Sequence, residues 1–123
     1  SLTCAQAEAS LACNHHNITG LVSFVASQAT MTTDITVYLR GLIEGETYFL
    51  KIHQNTNIEL SCSNLGDPLY NQELFTFISQ GSTLHITTNL QFFSLNDSVL
   101  NRTLGLFTIR SETITVMACG IIQ

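Results

Sequence analysis

Positive charge is scarce in this sequence. Only four of its 123 residues are Lys or Arg, against nine Asp and Glu, and the formal net charge is −5. A groove that binds phosphates needs clustered cations, so this composition argues against nucleic acid and anionic lipid as partners. Charged residues of both signs make up only 11% of the chain. Much of the surface must therefore be covered by Ser, Thr, Asn and Gln, or by something attached to the protein.

Long apolar runs are missing as well. None approaches the ~18 residues that a membrane helix needs, so we expect no membrane insertion in this segment. No signal peptide opens the sequence, and we therefore expect a mature form. Internal repeats, low-complexity tracts and linkers are also absent. The length suits one hydrophobic core, which predicts a single domain over residues 1–123.

Four cysteines and three Asn-X-Ser/Thr sequons indicate the secretory route. The sequons begin at Asn17, Asn96 and Asn101, and the last two are close enough to compete for one glycan. N-linked glycans would help to cover a weakly charged surface. We therefore expect a secreted or extracellular protein, or the ectodomain of a longer one. The alternative is a cytosolic protein with unused sequons and free thiols.

Helical periodicity is nearly absent. The Ala- and Glu-rich residues 5–11 are the exception and predict two turns of helix at most. Elsewhere, alternating or β-branched segments between polar turns predict strands near residues 19–26, 34–42, 47–54, 73–79, 83–88, 92–95, 103–109 and 112–117. Many short strands indicate an all-β fold, a Greek-key antiparallel β-barrel or sandwich of about eight strands with a short N-terminal turn or helix.

The histidines outside the strand near residues 47–54 carry little chemistry. His15 and His16 are adjacent, and neighbours on an extended chain point apart, so we interpret them as a solvated loop rather than a metal site. His85 alternates with Leu84 and Ile86, so it should face solvent while they face the core. No nucleophile elbow and no Gly-rich phosphate loop is present.

Five stretches of the chain form a recognisable series. They are ITGLVSF at 18–24, GLIEG with YFLKIH at 41–53, CSNLGDPLYN at 62–71, NRTLGLF at 101–107 and ACGII at 118–122. In this order they resemble the copper/zinc superoxide dismutase family, in which the last strand is tied by a disulfide to a long mid-chain loop. The resemblance implies a Greek-key β-barrel of that family and a disulfide between Cys62 and Cys119.

The same resemblance places the four copper-binding histidines of the family on Lys51, His53, Leu69 and Phe107. Only His53 can donate an imidazole, since Leu69 and Phe107 have no donor atom and Lys51 would first have to lose a proton. The segment that binds zinc and the loop that steers superoxide are almost entirely cut away. One-electron copper chemistry needs several nitrogen donors around an open face. We therefore expect no metal, no cofactor and no enzyme activity.

Two pairs of these residues have a structural interpretation. Leu69 and Phe107 should fall close together at the former metal cleft, where they either fill the hole or form an exposed apolar patch for a partner. Lys51 and His53 share one strand face by the period of two, and we interpret that face as an ordinary polar outer surface. Leu50 and Ile52 should then face the barrel interior.

Cys4 and Cys13 are left for a second disulfide. Their bond would tie an N-terminal extension, residues 1–16, to the edge of the barrel by closing a short loop. Cys4 has no counterpart in the family pattern. The alternative is a free Cys4 that pairs between chains.

These observations predict a secreted, glycosylated, non-catalytic superoxide dismutase-like domain. Its role would be protein–protein recognition or assembly, with a protein partner or with copies of itself. Two alternatives stay open, because fold analogy alone does not license function. One is a residual copper-binding, dismutase-like protein, and the other is an abundant extracellular structural or carrier protein.

Overall fold

The computed structural model describes residues 6–27, 30–96 and 98–123. No helix occurs in these ranges. Eight strands do: β1 (Gln6–Leu11), β2 (Thr19–Ser27), β3 (Thr32–Arg40), β4 (Thr47–His53), β5 (Phe75–Ile78), β6 (Thr83–Leu90), β7 (Thr103–Arg110) and β8 (Thr113–Ile121).

The strands form two four-stranded sheets. One has the order β1-β2-β3-β6 and the other β5-β4-β7-β8, and all neighbours are antiparallel. Along one side the sheets meet, because the backbones of Glu8 and Gln123 exchange hydrogen bonds, as do those of Ala12 and Cys119. The all-β prediction is thus confirmed at the level of an antiparallel sandwich.

Alternation along the strands builds the main core between the two sheets. On β3, Ile35, Val37 and Leu39 are fully buried and the residues between them are not. On β4, Leu50 and Ile52 enter the same core. β-branched and aromatic residues suit such a half-buried pleated surface, which is why the period of two decides these elements.

The predicted N-terminal helix is wrong, since residues 6–11 form β1. Its burial alternates strictly, with Ala7, Ala9 and Leu11 in the core and Gln6, Glu8 and Ser10 exposed. A helix of two turns is only marginally stable in water. Pairing with β2 along the whole strand and burial of one face outweigh the helical propensity of alanine.

The predicted strand at residues 92–95 is also wrong. Phe93 and Leu95 are buried, but their backbone groups pair with a side chain instead of a neighbouring strand. The Thr33 hydroxyl donates to the Phe93 carbonyl at 2.9 Å and accepts from the Leu95 N–H at 3.1 Å. A buried backbone needs partners, and one threonine supplies both here.

Candidate functional site

Residues 54–74, the covering loop, run from β4 to β5, and Ile58, Cys62 and Leu65 of this loop pack on the outer face of the second sheet. The Gln54 and Asn55 N–H groups donate to the carbonyls of Asp67 and Leu65, at 2.9 and 3.1 Å. The Cys62–Cys119 disulfide, with a Cα separation of 5.9 Å, ties the loop to β8. This bond confirms the pairing expected from the sequence.

A small apolar cluster separates the covering loop from the sheet. Its buried members are Cys13, Phe49, Cys62, Leu65, Phe107 and Cys119, and Ile58 and Val116 pack against them. It is distinct from the main core, because Phe49 and Phe107 point away from the sandwich interior while their strand neighbours point into it. The loop therefore lies over a second, smaller core.

Phe107 is at the centre of this cluster and is only 6% exposed. Its ring stacks on Phe49, with centroids 5.5 Å apart, and packs against His53 at 5.1 Å. A Cβ on Gly105 would lie 2.6 Å from this ring. The missing side chain at Gly105 therefore creates the space that the ring fills.

His53 is held by the covering loop. Its Nδ1 lies 2.7 Å from the Gly66 carbonyl oxygen, and a carbonyl can only accept, so Nδ1 carries a proton. Nε2 is buried and has no hydrogen-bond partner among the residues that the structure describes. Lys51, the next residue on the same face, is half-buried.

Leu69 and Phe107 do not share one cluster. Leu69 is half-buried against the main core, and its N–H donates to the Ile52 carbonyl at 2.7 Å. Phe107 lies in the small cluster instead. Neither offers the exposed apolar patch considered from the sequence, so their packing favours the interpretation that they fill space.

The four residues that the resemblance aligns with copper ligands do not fit a copper ion. Lys51, Leu69 and Phe107 offer no neutral imidazole, and His53 offers one nitrogen against a phenylalanine ring. Across the described ranges, no group of three or more His, Cys, Asp or Glu side chains is placed to hold a metal ion.

The other histidines lie apart from this cluster. His15 and His16 occupy a turn after β1, where His15 is exposed and His16 half-buried. His85 is exposed, as predicted, and its ring packs against Tyr38 on the outer face of the first sheet at 5.0 Å. No contact brings any of the three to His53.

The sequon asparagines and the remaining cysteine also have defined places. Asn17, Asn96 and Asn101 are all exposed. Cys13 is buried and forms no disulfide with any described residue. Cys4 lies outside the described residues, so its pairing stays a prediction.

Sequence reasoning missed a polar network at the start of β4. The Arg110 Nε donates to Glu46 Oε1 at 2.8 Å, and the Tyr48 hydroxyl donates to Glu46 Oε2 at 3.0 Å. The hydrogen bond from Arg110 lowers the pKa of Glu46. Burial raises the pKa of Tyr48, whose hydroxyl also accepts from the Ile43 N–H. This network fixes the turn before β4 to β7.

Sequence reasoning also missed an exposed row of apolar side chains beyond the covering loop. Ile78, Ile109 and Ile114 are 59%, 54% and 63% exposed. Ile78 pairs with Thr47 on β4, and Ile109 pairs with Ile114 on β8, so these four side chains cross the outer face of the second sheet. We call them the isoleucine row. It contains no charged side chain.

Neither family models nor curated proteins give a match. The resemblance to superoxide dismutases therefore stays a prediction. Within the described residues there is no helix with the length and apolar character to cross a membrane.

Proposed function

We propose that this chain is a secreted, glycosylated superoxide dismutase-like barrel that has lost metal binding and catalysis and acts in protein–protein recognition or assembly. The strand order supports the Greek-key part of this proposal. The chain passes through β4, β5 and β6 in turn, and β7 then returns to lie beside β4. A return beside an earlier strand is one element of a Greek key, and here it spans both sheets, because β5 pairs with β4 and β6 pairs with β3.

The packing of Phe107 is the observation on which the loss of catalysis rests. By the resemblance, Phe107 and His53 occupy two positions of copper ligands. Their rings pack directly on each other, and Gly105 gives up its side chain volume to admit the phenylalanine. Apolar packing stabilises a fold without a metal, whereas a copper site must hold several donors around an open face.

Metal content tests this part of the proposal. We expect protein from a secretory host to retain only substoichiometric copper and zinc after loading and dialysis, with superoxide turnover at background. A His53→Ala variant is the matched control. It removes the one imidazole among Lys51, His53, Leu69 and Phe107, and it should leave the metal content and the superoxide turnover unchanged. Stoichiometric copper that survives dialysis, is lost in His53→Ala and turns over superoxide would restore the enzyme.

The surface that we assign to assembly is the isoleucine row, and its occupant is a second copy of this chain. Exposed apolar side chains surrounded by polar ones mark interaction sites. Copies of a chain with a net charge of −5 repel each other over most of their surface, but the row is uncharged. Two copies related by a two-fold axis can join row to row, since no charged side chain lies within the row itself.

Sedimentation velocity over a concentration series tests this assignment. We expect a weak dimer that Ile109→Lys abolishes, since a lysine pair would meet across the two-fold axis. Val25→Lys is the matched control, because Val25 is 45% exposed on the outer face of the other sheet. A monomeric wild-type chain at high concentration would overturn self-assembly, and equal loss in both variants would overturn the role of the row.

A further inference from the structure

Cys13 is the third sulfur atom of the small cluster. It follows shortly after β1. A strand rises about 3.3 Å per residue, so Ala12, just before Cys13, is roughly 20 Å from Gln6 at the other end of β1. Cys4 lies outside the described residues, and its pairing with Cys13 stays a prediction that the mapping below also tests.

Cys62 is much closer to Cys13. The Cys13 thiol donates toward the Ser61 carbonyl oxygen at 3.5 Å, and Cys62 Sγ lies 3.3 Å from the carbonyl oxygen of Ala12. Each sulfur atom therefore touches the carbonyl group that precedes the other cysteine.

The backbones of the two segments also run side by side. The Asn14 N–H donates to the Leu60 carbonyl at 2.9 Å. Chains paired in this way are about 5 Å apart, which is within the range of Cα separations in which disulfides form. This pairing brings Cys13 close to Cys62, whose present disulfide to Cys119 has a Cα separation of 5.9 Å.

We propose that Cys13 exchanges with the Cys62–Cys119 disulfide in the folded protein. The Cys13 thiolate attacks Cys62 Sγ, a Cys13–Cys62 bond forms and the bond to Cys119 breaks. Cys119 leaves as a thiolate and takes up the proton that Cys13 lost. One disulfide and one thiol are present before and after, so the step needs no oxidant or reductant.

The exchange changes what holds the covering loop. In the second form the loop is tied to the segment after β1, and β8 carries a free thiol. Cys13 and Cys119 both line a cavity of about 390 Å³, together with Ile58 and Leu60. Leu60 is 80% exposed at its rim. The released Cys119 thiol thus faces a space that opens toward solvent.

Disulfide mapping tests the exchange. Trypsin cuts after Arg40, Lys51, Arg102 and Arg110, so Cys13, Cys62 and Cys119 fall on three separate peptides. The Cys4→Ser chain is held at about pH 8.5, where more thiol is ionised, then quenched with acid, denatured, alkylated and digested. We expect a Cys13–Cys62 peptide pair beside the Cys62–Cys119 pair. Cys62–Cys119 alone, with Cys13 alkylated throughout, would overturn the proposal.

A urea series separates exchange in the fold from scrambling of unfolded chains. In the folded state the rate should stay constant below the unfolding transition, and a rate that grows with the unfolded fraction would overturn the proposal. Cys13→Ser is the matched control and should keep only Cys62–Cys119. The wild-type chain mapped in parallel gives an independent reading, since a Cys4–Cys13 bond there would remove the attacking thiol. None of these readings depends on self-association.

Discussion

The outer faces of the two sheets meet solvent in different ways. On the first sheet, polar side chains pair with each other, as in the Thr36–Thr87 contact at 3.0 Å and the Asn89–Asp34 hydrogen bond at 2.8 Å. On the second sheet the outer face carries Phe49, Phe107 and the isoleucine row beside the polar Lys51 and His53. Part of it is covered by a loop that a disulfide holds in place, and part of it, the isoleucine row, stays bare. The outer face of the first sheet is thus solvated by its own polar side chains, whereas that of the second sheet is only partly covered.

Removing the Cys62–Cys119 disulfide should have the largest effect on stability. The paired substitution Cys62→Ser, Cys119→Ser opens a loop of 57 residues, for which chain entropy predicts a loss of about 4 kcal/mol in the free energy of unfolding. Urea unfolding monitored by circular dichroism measures it, with Cys13→Ser as the single-thiol control. A loss no larger than that of the control would mean that the covering loop holds without its covalent bond.

The ring of Phe107 should come next. Phe107→Ala empties the centre of the small cluster, and truncation of a buried phenylalanine costs about 3 kcal/mol. Thermal and urea unfolding measure the loss, and sedimentation should show unchanged self-association, because the side chain is buried. If stability were kept and association lost, Phe107 would be a contact residue.

Gly105 sharpens the same point with a smaller change. In Gly105→Ala the new Cβ meets the Phe107 ring, and such overpacking costs about 1–3 kcal/mol. Gly81→Ala is the matched control, since a Cβ there meets nothing within 4 Å. Equal melting temperatures for the two variants would show that the ring moves aside freely.

The polar face should tolerate substitution far better. Thr36→Val removes an exposed hydroxyl pair from the first sheet and keeps a β-branched side chain, so we expect a change within about 0.5 kcal/mol. The same unfolding assay applies. A loss as large as that of Phe107→Ala would remove the contrast between the two faces.

The smallest expected effect is the loss of the Glu46–Arg110 ion pair in acid. Arg110 lowers the folded-state pKa of Glu46, so this pair adds stability above the unfolded pKa, and the contribution disappears as the pH falls from there through the folded value. When the pH falls below about 4.5, Glu46→Gln should therefore lose slightly less stability than the wild type. The pair is partly exposed, and salt should weaken it as well. Identical acid unfolding curves for Glu46→Gln and wild type would show that the pair adds nothing.

The local alternation of apolar residues was sufficient to predict which side chains of β4 face the core, but it was insufficient for the other features of the fold. Alternation in β4 correctly assigned Leu50 and Ile52 to the interior. It also suited residues 92–95, but there Thr33, distant in sequence, satisfies the backbone. The isoleucine row requires the pairing of β5, β4, β7 and β8, which no single segment encodes. The Cys62–Cys119 pairing was predicted only through the resemblance, because four cysteines alone allow three pairings.

The junction of β1 with β8 has a consequence for synthesis on the ribosome. The first strand of the described chain is joined to the last, and the same last strand carries Cys119. Closure must therefore wait until Gln123 has left the ribosome, and the disulfide until Cys119 has done so. Until then β1 lacks one neighbour and the apolar face under the covering loop has no staple. Such late, non-local pairing slows folding, and it leaves nascent chains exposed to chaperones for longer than a fold whose first strands complete each other.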